Sequence, residues 1–357
     1  MQQVLLMCRP GFESDLAAEI QDKASACGVF GFVRARAGDG FVVFEGHEPA
    51  AGRALLNKLS FADVVFARQW LLVIEHFPAL PVDDRVGPLV QSLSGGQSLS
   101  GLPFRHVWMT FPDTNAGKGL SKLTRKLERP LARSVAAMLQ PDAAWFGHVF
   151  FLSGREAWVG YTPVANGSPW PLGFPRLRQP AAAPSRSTLK LEEAWLQLIP
   201  ESRRATLLKP FQKAVDLGAA PGGWTWQLVQ RGMQVVAIDN GPMDQALMES
   251  GQVTHLREDA FAYKPQRPVD WLVCDMVEKP ARVAQLMERW LARGWTRYAI
   301  FNLKLPMKRR WLEVQQILEK MQVVLDEAGS SYRLQAKQLY HDREEITVFA
   351  APHSGGD

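Results

Sequence analysis

Short apolar blocks separated by polar turns run through the first 165 residues, and their lengths and periods predict an alternation of strands and helices. Gln3–Cys8 reads as a strand, Glu13–Cys27 as an amphipathic helix, and Val29–Phe44 as strands broken at Ala37-Gly38-Asp39-Gly40. The alternation then repeats. Pro49–Leu59 reads as a helix, Val64–Ile74 as extended chain, Val86–Leu93 as a helix and His106–Thr110 as extended chain. Leu120–Leu139 reads as a helix, and Trp145–Tyr161 as a hairpin turning at Ser153-Gly154. A small α+β assembly of split βαβ units is the economical architecture for that order. Periodicity is lost between Pro163 and Ser187, where Pro169, Pro171, Pro175, Pro180 and Pro184 punctuate the chain. Residues 166–187 are therefore predicted to be a Pro-rich basic linker between a domain over 1–165 and a second domain over 188–357.

In the second domain the pattern becomes α/β. Leu191–Leu198 reads as a helix, Ala214–Leu217 as a strand, Gly222–Gln230 as a helix and Gln234–Ile238 as a strand. Trp271–Cys274 and Tyr298–Leu303 read as buried strands, Arg282–Leu291 and Trp311–Leu325 as helices, and Tyr332–Leu339 with Ile346–Ala350 as a closing antiparallel pair. This alternation predicts a Rossmann-like, mostly parallel sheet covered on both faces, with its ligand crevice at the carboxyl ends of the strands.

The sharpest local signal lies between a predicted strand and a predicted helix: Asp216-Leu217-Gly218-Ala219-Ala220-Pro221-Gly222-Gly223-Trp224-Thr225. Glycines there let backbone approach a ligand closely. No GK[ST] is present, so this is not a phosphate loop, and Ala220 breaks the glycine spacing of a dinucleotide site. Asp239 closes the next strand, where a carboxylate can accept both hydroxyls of a ribose. Asp259 follows the third strand and is placed to accept from an adenine amino group. The combination suits an adenosine ligand without a pyrophosphate, for which S-adenosylmethionine is the candidate.

Asp275 lies just past the fourth strand and Lys304 just past the fifth, so both are expected in the same crevice. Lysines that end buried apolar strands are unusual, because desolvating an ammonium is costly unless carboxylates compensate. A ribose 2′-hydroxyl is a poor nucleophile, and its methylation benefits from a positioned base. Lys304 is the candidate base, with a pKa expected to be lowered by burial and a second ammonium. Asp275 would orient it, while Lys190 and Glu344 hold the hydroxyl and the lysine network. Two other chemistries are disfavoured. Asp275-Met276-Val277-Glu278 lacks the [DNS]PP[YFW] segment typical of base N-methylation, and Cys274 precedes Asp275 inside the strand, pointing away from the crevice where a nucleophilic cysteine would have to stand.

Composition narrows the setting. The 357 residues are 46% hydrophobic and 22% charged, which fits two globular domains. The amino terminus lacks the features of a signal peptide, and no stretch approaches the roughly eighteen uncharged apolar residues of a membrane span, so a cytoplasmic location is expected. Cys8, Cys27 and Cys274 are widely spaced and form no CxxC pair, arguing against both a disulfide framework and a bound metal. Four of the five excess positive charges fall in residues 166–210, which carry 7 Lys+Arg against 3 Asp+Glu. Lys118, Lys122, Arg125, Lys126, Arg129 and Arg133 form a second concentration, and Arg176, Arg178 and Arg186 lie in the linker. These nine residues are the candidate RNA-phosphate contacts.

The catalytic half resembles the FtsJ-like ribose methyltransferases, whose Lys-Asp-Lys-Glu tetrad matches Lys190, Asp275, Lys304 and Glu344. The segments Ser185-Arg186-Ser187-Thr188-Leu189-Lys190, Ala219 to Thr225, Cys274-Asp275-Met276 and Tyr340-His341-Asp342-Arg343-Glu344-Glu345 further resemble the ribosomal RNA large subunit methyltransferase M family. That resemblance covers nearly the whole chain, including an N-terminal THUMP-type, ferredoxin-like RNA-binding domain. It implies 2′-O-methylation of a cytidine in the peptidyl-transferase region of 23S rRNA; apart from the resemblance, a monomer that holds no metal is expected. It also implies cofactor contacts from Ser187, Ala220, Pro221, Gly222, Gly223, Trp224, Asp239, Asp259 and Asp275, with Lys304 as the proton acceptor. The residues leave three alternatives: the same chemistry on another RNA such as a transfer RNA, a non-catalytic RNA-binding scaffold, and a nicotinamide-dependent oxidoreductase.

Overall fold

The computed structural model describes residues 1–95 and 102–353 and divides into two compact units, residues 1–174 and 175–357. In the first unit the strands are β1 (Gln3–Met7), β2 (Gly31–Ala35), β3 (Phe41–Gly46), β4 (Gln69–Phe77), β5 (His106–Thr110), β6 (Trp145–Phe151) and β7 (Ala157–Pro163). They form one sheet in the order β2-β3-β1-β4-β7-β6-β5, antiparallel except for β5 against β6. Helices α1 (Glu13–Ala26) and α2 (Ala51–Lys58) connect β1 to β2 and β3 to β4, so residues 3–77 make a ferredoxin-like βαββαβ. α3 (Val86–Leu93), α4 (Asn115–Lys118) and α5 (Ser121–Ser134) belong to the remainder of the unit.

Three boundaries differ from the sequence reading, each for a local reason. The extended chain expected from Val64 joins the ladder only at Gln69, because Val65 and Phe66 donate their N–H groups to the buried Glu19 carboxylate at 2.6 and 2.9 Å. The helix expected over Leu120–Leu139 stops at Ser134 and continues as a short 3-10 turn; Pro130 lies within it and lacks a backbone donor. The first unit also reaches Phe174, beyond the expected boundary at 165. The Asn166 side chain accepts from Phe61 N–H at 2.7 Å and donates to the Leu56 carbonyl at 2.7 Å, and the buried Gln69 amide donates to the carbonyls of Ser168 and Trp170. Residues 166–174 are therefore irregular but anchored.

The second unit opens with α6 (Thr188–Leu198) and α7 (Glu201–Leu207). It then alternates β8 (Lys213–Leu217), α8 (Gly223–Gln230), β9 (Gln234–Ile238), α9 (Gln245–Glu249), β10 (Val253–Leu256), β11 (Val269–Cys274), α10 (Pro280–Ala292), β12 (Thr296–Lys304), α11 (Arg310–Glu327), β13 (Tyr332–Lys337) and β14 (Glu345–Pro352). The sheet order is β10-β9-β8-β11-β12-β14-β13, with the first five strands parallel and β14 antiparallel to both β12 and β13. Trp195, Trp271, Leu228 and Ile300 fill its core. The chain leaves β8 towards β9 on one side and returns to β11 on the other. The gap between the carboxyl ends of β8 and β11 is therefore the topological switch point, where open α/β sheets bind ligands. Among the described residues no helix is long and apolar enough to cross a membrane.

Candidate active site

A cavity of about 400 Å³ opens at that switch point, lined among others by Gly218, Ala220, Asp239, Asp259, Asp275 and Met276. The β8–α8 loop is shaped by two glycines with left-handed backbones. Gly218 has φ +76°, and a Cβ on it would stand 2.4 Å from Met276 Cγ; Gly222 has φ +118°, with Leu247 Cδ1 equally close. The Asp239 carboxylate accepts from Ala220 N–H at 3.1 Å and Gly241 N–H at 2.7 Å, which ties the loop to the end of β9. Asp259 accepts from Phe261 N–H at 2.9 Å.

Of the expected cofactor contacts, Ala220, Asp239, Asp259 and Asp275 line this cavity. Ser187, Pro221, Gly222, Gly223 and Trp224 are not part of its lining: Gly222, Gly223 and Trp224 are buried where the chain turns into α8, Pro221 is exposed ahead of them, and Ser187 lies just before α6. Trp224 is buried, with its indole N–H donated to the Ser187 carbonyl at 3.1 Å, and a Cβ on Gly223 would meet Ser187 Oγ at 2.2 Å. Trp224 and Gly223 thus fix the segment that carries α6 rather than forming the cavity wall.

Asp216, on β8, is fully buried and accepts from the Thr225 hydroxyl at 2.7 Å. Burial pushes its carboxyl up to about 7, against an ordinary value of 3.8. Between those values the folded protein holds a proton that the unfolded chain has released, so stability falls as pH rises through the window. The full loss, reached above it, is on the order of a few kcal/mol. We expect the melting temperature to drop from mildly acidic to mildly alkaline pH, and to drop less in Asp216→Asn, whose amide oxygen still accepts from Thr225. An equally steep drop in the variant rules out Asp216 as its source.

Beside the cavity two lysines face two carboxylates. Lys190, on the first turn of α6, donates to Asp275 Oδ2 at 3.1 Å and lies 2.5 Å from Glu345 Oε1. Lys304, the last residue of β12, pairs with Glu345 Oε2 and stands 3.8 Å from Asp275 Oδ1. Burial works against the Lys190 ammonium, but Asp275 and Glu345 outweigh it and hold its pKa above the ordinary lysine range. Burial likewise opposes the Glu345 carboxylate, and Lys190 and Lys304 outweigh it and pull its pKa down. The second ammonium expected to lower a lysine pKa therefore comes with carboxylates that act in the opposite direction.

The glutamate of this cluster is not the expected Glu344. Glu345 is the first residue of β14 and lies directly opposite Lys304 in the antiparallel register, where facing side chains come within about 5 Å. Glu344, one residue earlier, points elsewhere: its side chain is 47% exposed and pairs with Arg310 at 2.6 Å, whereas Glu345 is 4% exposed. Asn302, also unanticipated, is fully buried two residues before Lys304 and donates to Asp275 Oδ1 at 2.8 Å. Strand alternation, which puts 302 and 304 on one face, was the available signal for it. Cys274 is fully buried, and burial pushes its thiol up to about 12, which leaves no thiolate for nucleophilic chemistry at neutral pH.

The candidate RNA contacts are all exposed. Lys122, Arg125, Lys126, Arg129 and Arg133 follow helical spacing along α5, while Lys118 ends the separate turn α4. Arg176, Arg178 and Arg186 lie ahead of α6 in the second unit. A second cavity, of about 860 Å³, lies on the sheet of the first unit and includes Arg34, Phe41, His76 and Trp158 in its lining; the paired lysines are not part of it.

The second unit is a doubly wound sheet that carries its cavity at the switch point with two lysines beside it, and the match of residues 183–346 to the FtsJ-like methyltransferase family makes it a methyltransferase. Residues 1–71 match the RlmM ferredoxin-like domain, and residues 84–163 match the N-terminal domain of ribosomal RNA large subunit methyltransferase M. The ribosomal RNA large subunit methyltransferase M of Cellvibrio japonicus is 48% identical over 98% of this chain and 99% of its own length. That of Methylococcus capsulatus is 49% identical over 97% of both chains, and that of Salmonella agona 48% identical over 98% of this chain and 96% of its own. The chain belongs to the ribosomal RNA large subunit methyltransferase M family.

Proposed function

We propose that this protein transfers a methyl group from S-adenosylmethionine to the ribose 2′-oxygen of a cytidine in the peptidyl-transferase region of 23S rRNA, with Lys304 as proton acceptor. The observation that carries the chemistry is the double position of Asp275, which lines the switch-point cavity and also pairs with Lys190 and Lys304. The choice of RNA rests on the family, and the nucleotide on the resemblance of the site segments.

The cavity suits the cofactor. Its volume lies within the ordinary range for small-molecule sites, and Asp239 and Asp259 supply carboxylates for ribose hydroxyls and an adenine amine. When bound, the cofactor would supply an electrophilic methyl on a positively charged sulfur, whose methyl–sulfur bond is the one exchanged for the bond to O2′, the sulfur leaving as a neutral thioether. The residues of the chain do the rest. Lys304, arriving as the neutral amine, takes the 2′-hydroxyl proton at Nζ as the O–C bond forms, and Asp275 and Glu345 then balance the new ammonium. Lys190, held charged, keeps both carboxylates in place. The exposed basic residues of α5, with Lys118, Arg176, Arg178 and Arg186, supply phosphate contacts that hold the RNA without reading its sequence.

A methyl on O2′ blocks the neighbouring hydroxyl that alkali needs to cleave the adjacent phosphodiester. Labelled methyl transferred to a 23S rRNA transcript, or to large-subunit precursor particles, is therefore expected in an alkali-resistant dinucleotide with cytidine at its 5′ position, mapping to the peptidyl-transferase region. Label in ordinary mononucleotides would mean a base methyltransferase. A transfer RNA preferred over 23S rRNA would overturn the substrate.

A further inference from the structure

The base and the 3′-phosphate of a nucleotide hang from the two ribose carbons on either side of the one that bears O2′. A site that brings O2′ to Lys304 therefore brings both to the same rim, and it needs an apolar surface for the first and a cation for the second. Partners of both kinds stand on the loops that follow Asp275 and Lys304. β11 and β12 are neighbouring parallel strands, so these loops leave the same end of the sheet side by side. Val277, two residues past Asp275, lines the switch-point cavity and is 89% exposed; Met307, three residues past Lys304, is 74% exposed. Three residues of chain span at most about 11 Å, so Met307 is close enough to meet the nucleotide that reacts at Lys304. One exposed apolar side chain on a surface needs no explanation, but two on the neighbouring loops that carry the reacting pair do.

The loop after β12 adds the cations. Pro306, Met307, Lys308 and Arg309 are all exposed between two fixed ends: Leu305 donates its N–H to the Glu344 carbonyl at 2.8 Å, and Arg310 donates to the Glu344 carboxylate at 2.6 Å. Among the described residues no carboxylate pairs with the side chain of Lys308 or Arg309, whereas Glu278, the acid beside Val277, is occupied by Arg282. Arg309 also holds a left-handed backbone conformation, with φ +56°, which is costly for a residue that carries a Cβ. Glycine would make that turn without the cost, so what arginine adds at this position is its guanidinium.

We propose that Val277 and Met307 hold the base of the target nucleotide, unstacked from its neighbours, and that Lys308 and Arg309 hold the phosphates that flank it. The occupant is one unpaired nucleotide of the RNA. A base taken out of its stack loses the faces of its neighbours, and two apolar side chains return part of that contact whichever base it is. The polarizable thioether of Met307 suits an aromatic face. The cations fix the register of the backbone without reading sequence. Together the four side chains favour an unpaired nucleotide over one in a duplex, whose base is already stacked and paired. They are positioning residues, and the proton still goes to Lys304. Their effect on turnover rests on the reading of Asp275 and Lys304 above, whereas their contact with RNA does not.

The test uses two forms of the RNA, one intact and one in which the methylated nucleotide keeps its ribose but lacks its base. On intact RNA, Val277→Ser with Met307→Ser is expected to lower kcat/KM for RNA roughly ten- to a hundredfold, the size of one lost base-stacking contact. On the abasic RNA, which the wild type itself methylates more slowly by a similar factor, the same pair of changes is expected to cost less than about threefold. Equal losses on the two RNAs overturn the base contact. Phe211→Asn removes a comparably exposed side chain ahead of β8, at the opposite end of the sheet, and is expected to change neither rate. All these side chains are exposed, so the variants should fold. Binding decides the rest without turnover. In Lys308→Gln with Arg309→Gln, affinity for a single-stranded segment of the peptidyl-transferase region is expected to fall, and its slope against salt on logarithmic axes to become shallower by about 1.4, two phosphate contacts. An unchanged slope overturns the phosphate contact. The wild type is expected to bind that segment more tightly than its duplex, and the Val277→Ser, Met307→Ser variant to lose roughly five- to tenfold of this preference; an undiminished preference overturns the base contact. A wild type that methylates no RNA removes the reaction proposed above, and these two titrations still decide whether the loops hold an unpaired nucleotide.

Discussion

Lys304→Ala is expected to lower methyl transfer to RNA by about two to four orders of magnitude, the usual share of a positioned general base, while cofactor affinity stays within a few-fold. The two lysines of the site are not equivalent. Lys190 is the more enclosed, with a side chain 15% exposed against 29% for Lys304. It contacts both carboxylates, and they hold its pKa up, which suits a fixed cation better than a proton acceptor. Lys304 ends β12 at the rim of the same cluster, where an incoming hydroxyl can reach Nζ. Replacing it with alanine leaves Glu345 paired with Lys190, so the variant should fold. Lys304→Arg is expected to be nearly as inactive as alanine, because a guanidinium keeps the charge but does not give up its proton. Single-turnover incorporation of labelled methyl, with calorimetric titration of the cofactor alongside, measures both quantities. An alanine variant that turns over at the wild-type rate would remove the base from Lys304; an arginine variant that does so would mean that charge, not proton transfer, is what the position supplies.

The parts of this molecule that were legible in advance are those that local pattern determines. Parallel strands covered on both faces are nearly continuous apolar runs, so Gln234–Ile238, Trp271–Cys274 and Tyr298–Leu303 stood out, and Asp239, Asp275 and Lys304 were conspicuous as polar residues at their carboxyl ends. What stayed hidden depends on pairing at a distance. Nothing near Val64 announces that a helix more than forty residues upstream will offer Glu19 to its backbone. Trp224, next to a glycine turn, reads equally well as a cavity wall or as core, and only the approach of Ser187 decides for core. Asn302 is an ordinary strand residue until Thr347 is known to lie opposite it. The proline-rich stretch after Pro163 carries every local mark of a linker, yet its first part is held by Gln69 and Phe61, a hundred residues earlier.

The adjacent glutamates Glu344 and Glu345 concentrate that difficulty, because two like residues in sequence put a carboxylate near the site whichever one faces it, and a one-residue slip exchanges the faces. We expect Glu345→Gln to lower the methyl-transfer rate roughly a hundredfold and Glu344→Gln to leave it within about twofold. Glu345 faces both ammonium groups from a nearly solvent-free position. Glutamine keeps its shape but not its charge, so Asp275 alone is left to balance two cations, including the ammonium that Lys304 becomes on taking the proton. Losing one partner of a buried charge cluster costs about 3–5 kcal/mol when the remaining charge is uncompensated; with Asp275 still present the stability cost should be smaller, and most of the loss should appear in turnover. Glu344 makes a half-exposed pair with Arg310, of the kind worth about 1 kcal/mol or less. Its replacement should move the melting temperature slightly and the rate hardly at all. Turnover and melting curves for the two variants side by side distinguish the registers. If Glu344→Gln were the inactive one, the β12–β14 pairing drawn here would be displaced by one residue in the working enzyme, and the pairing of Asn302 with Thr347 would be displaced with it.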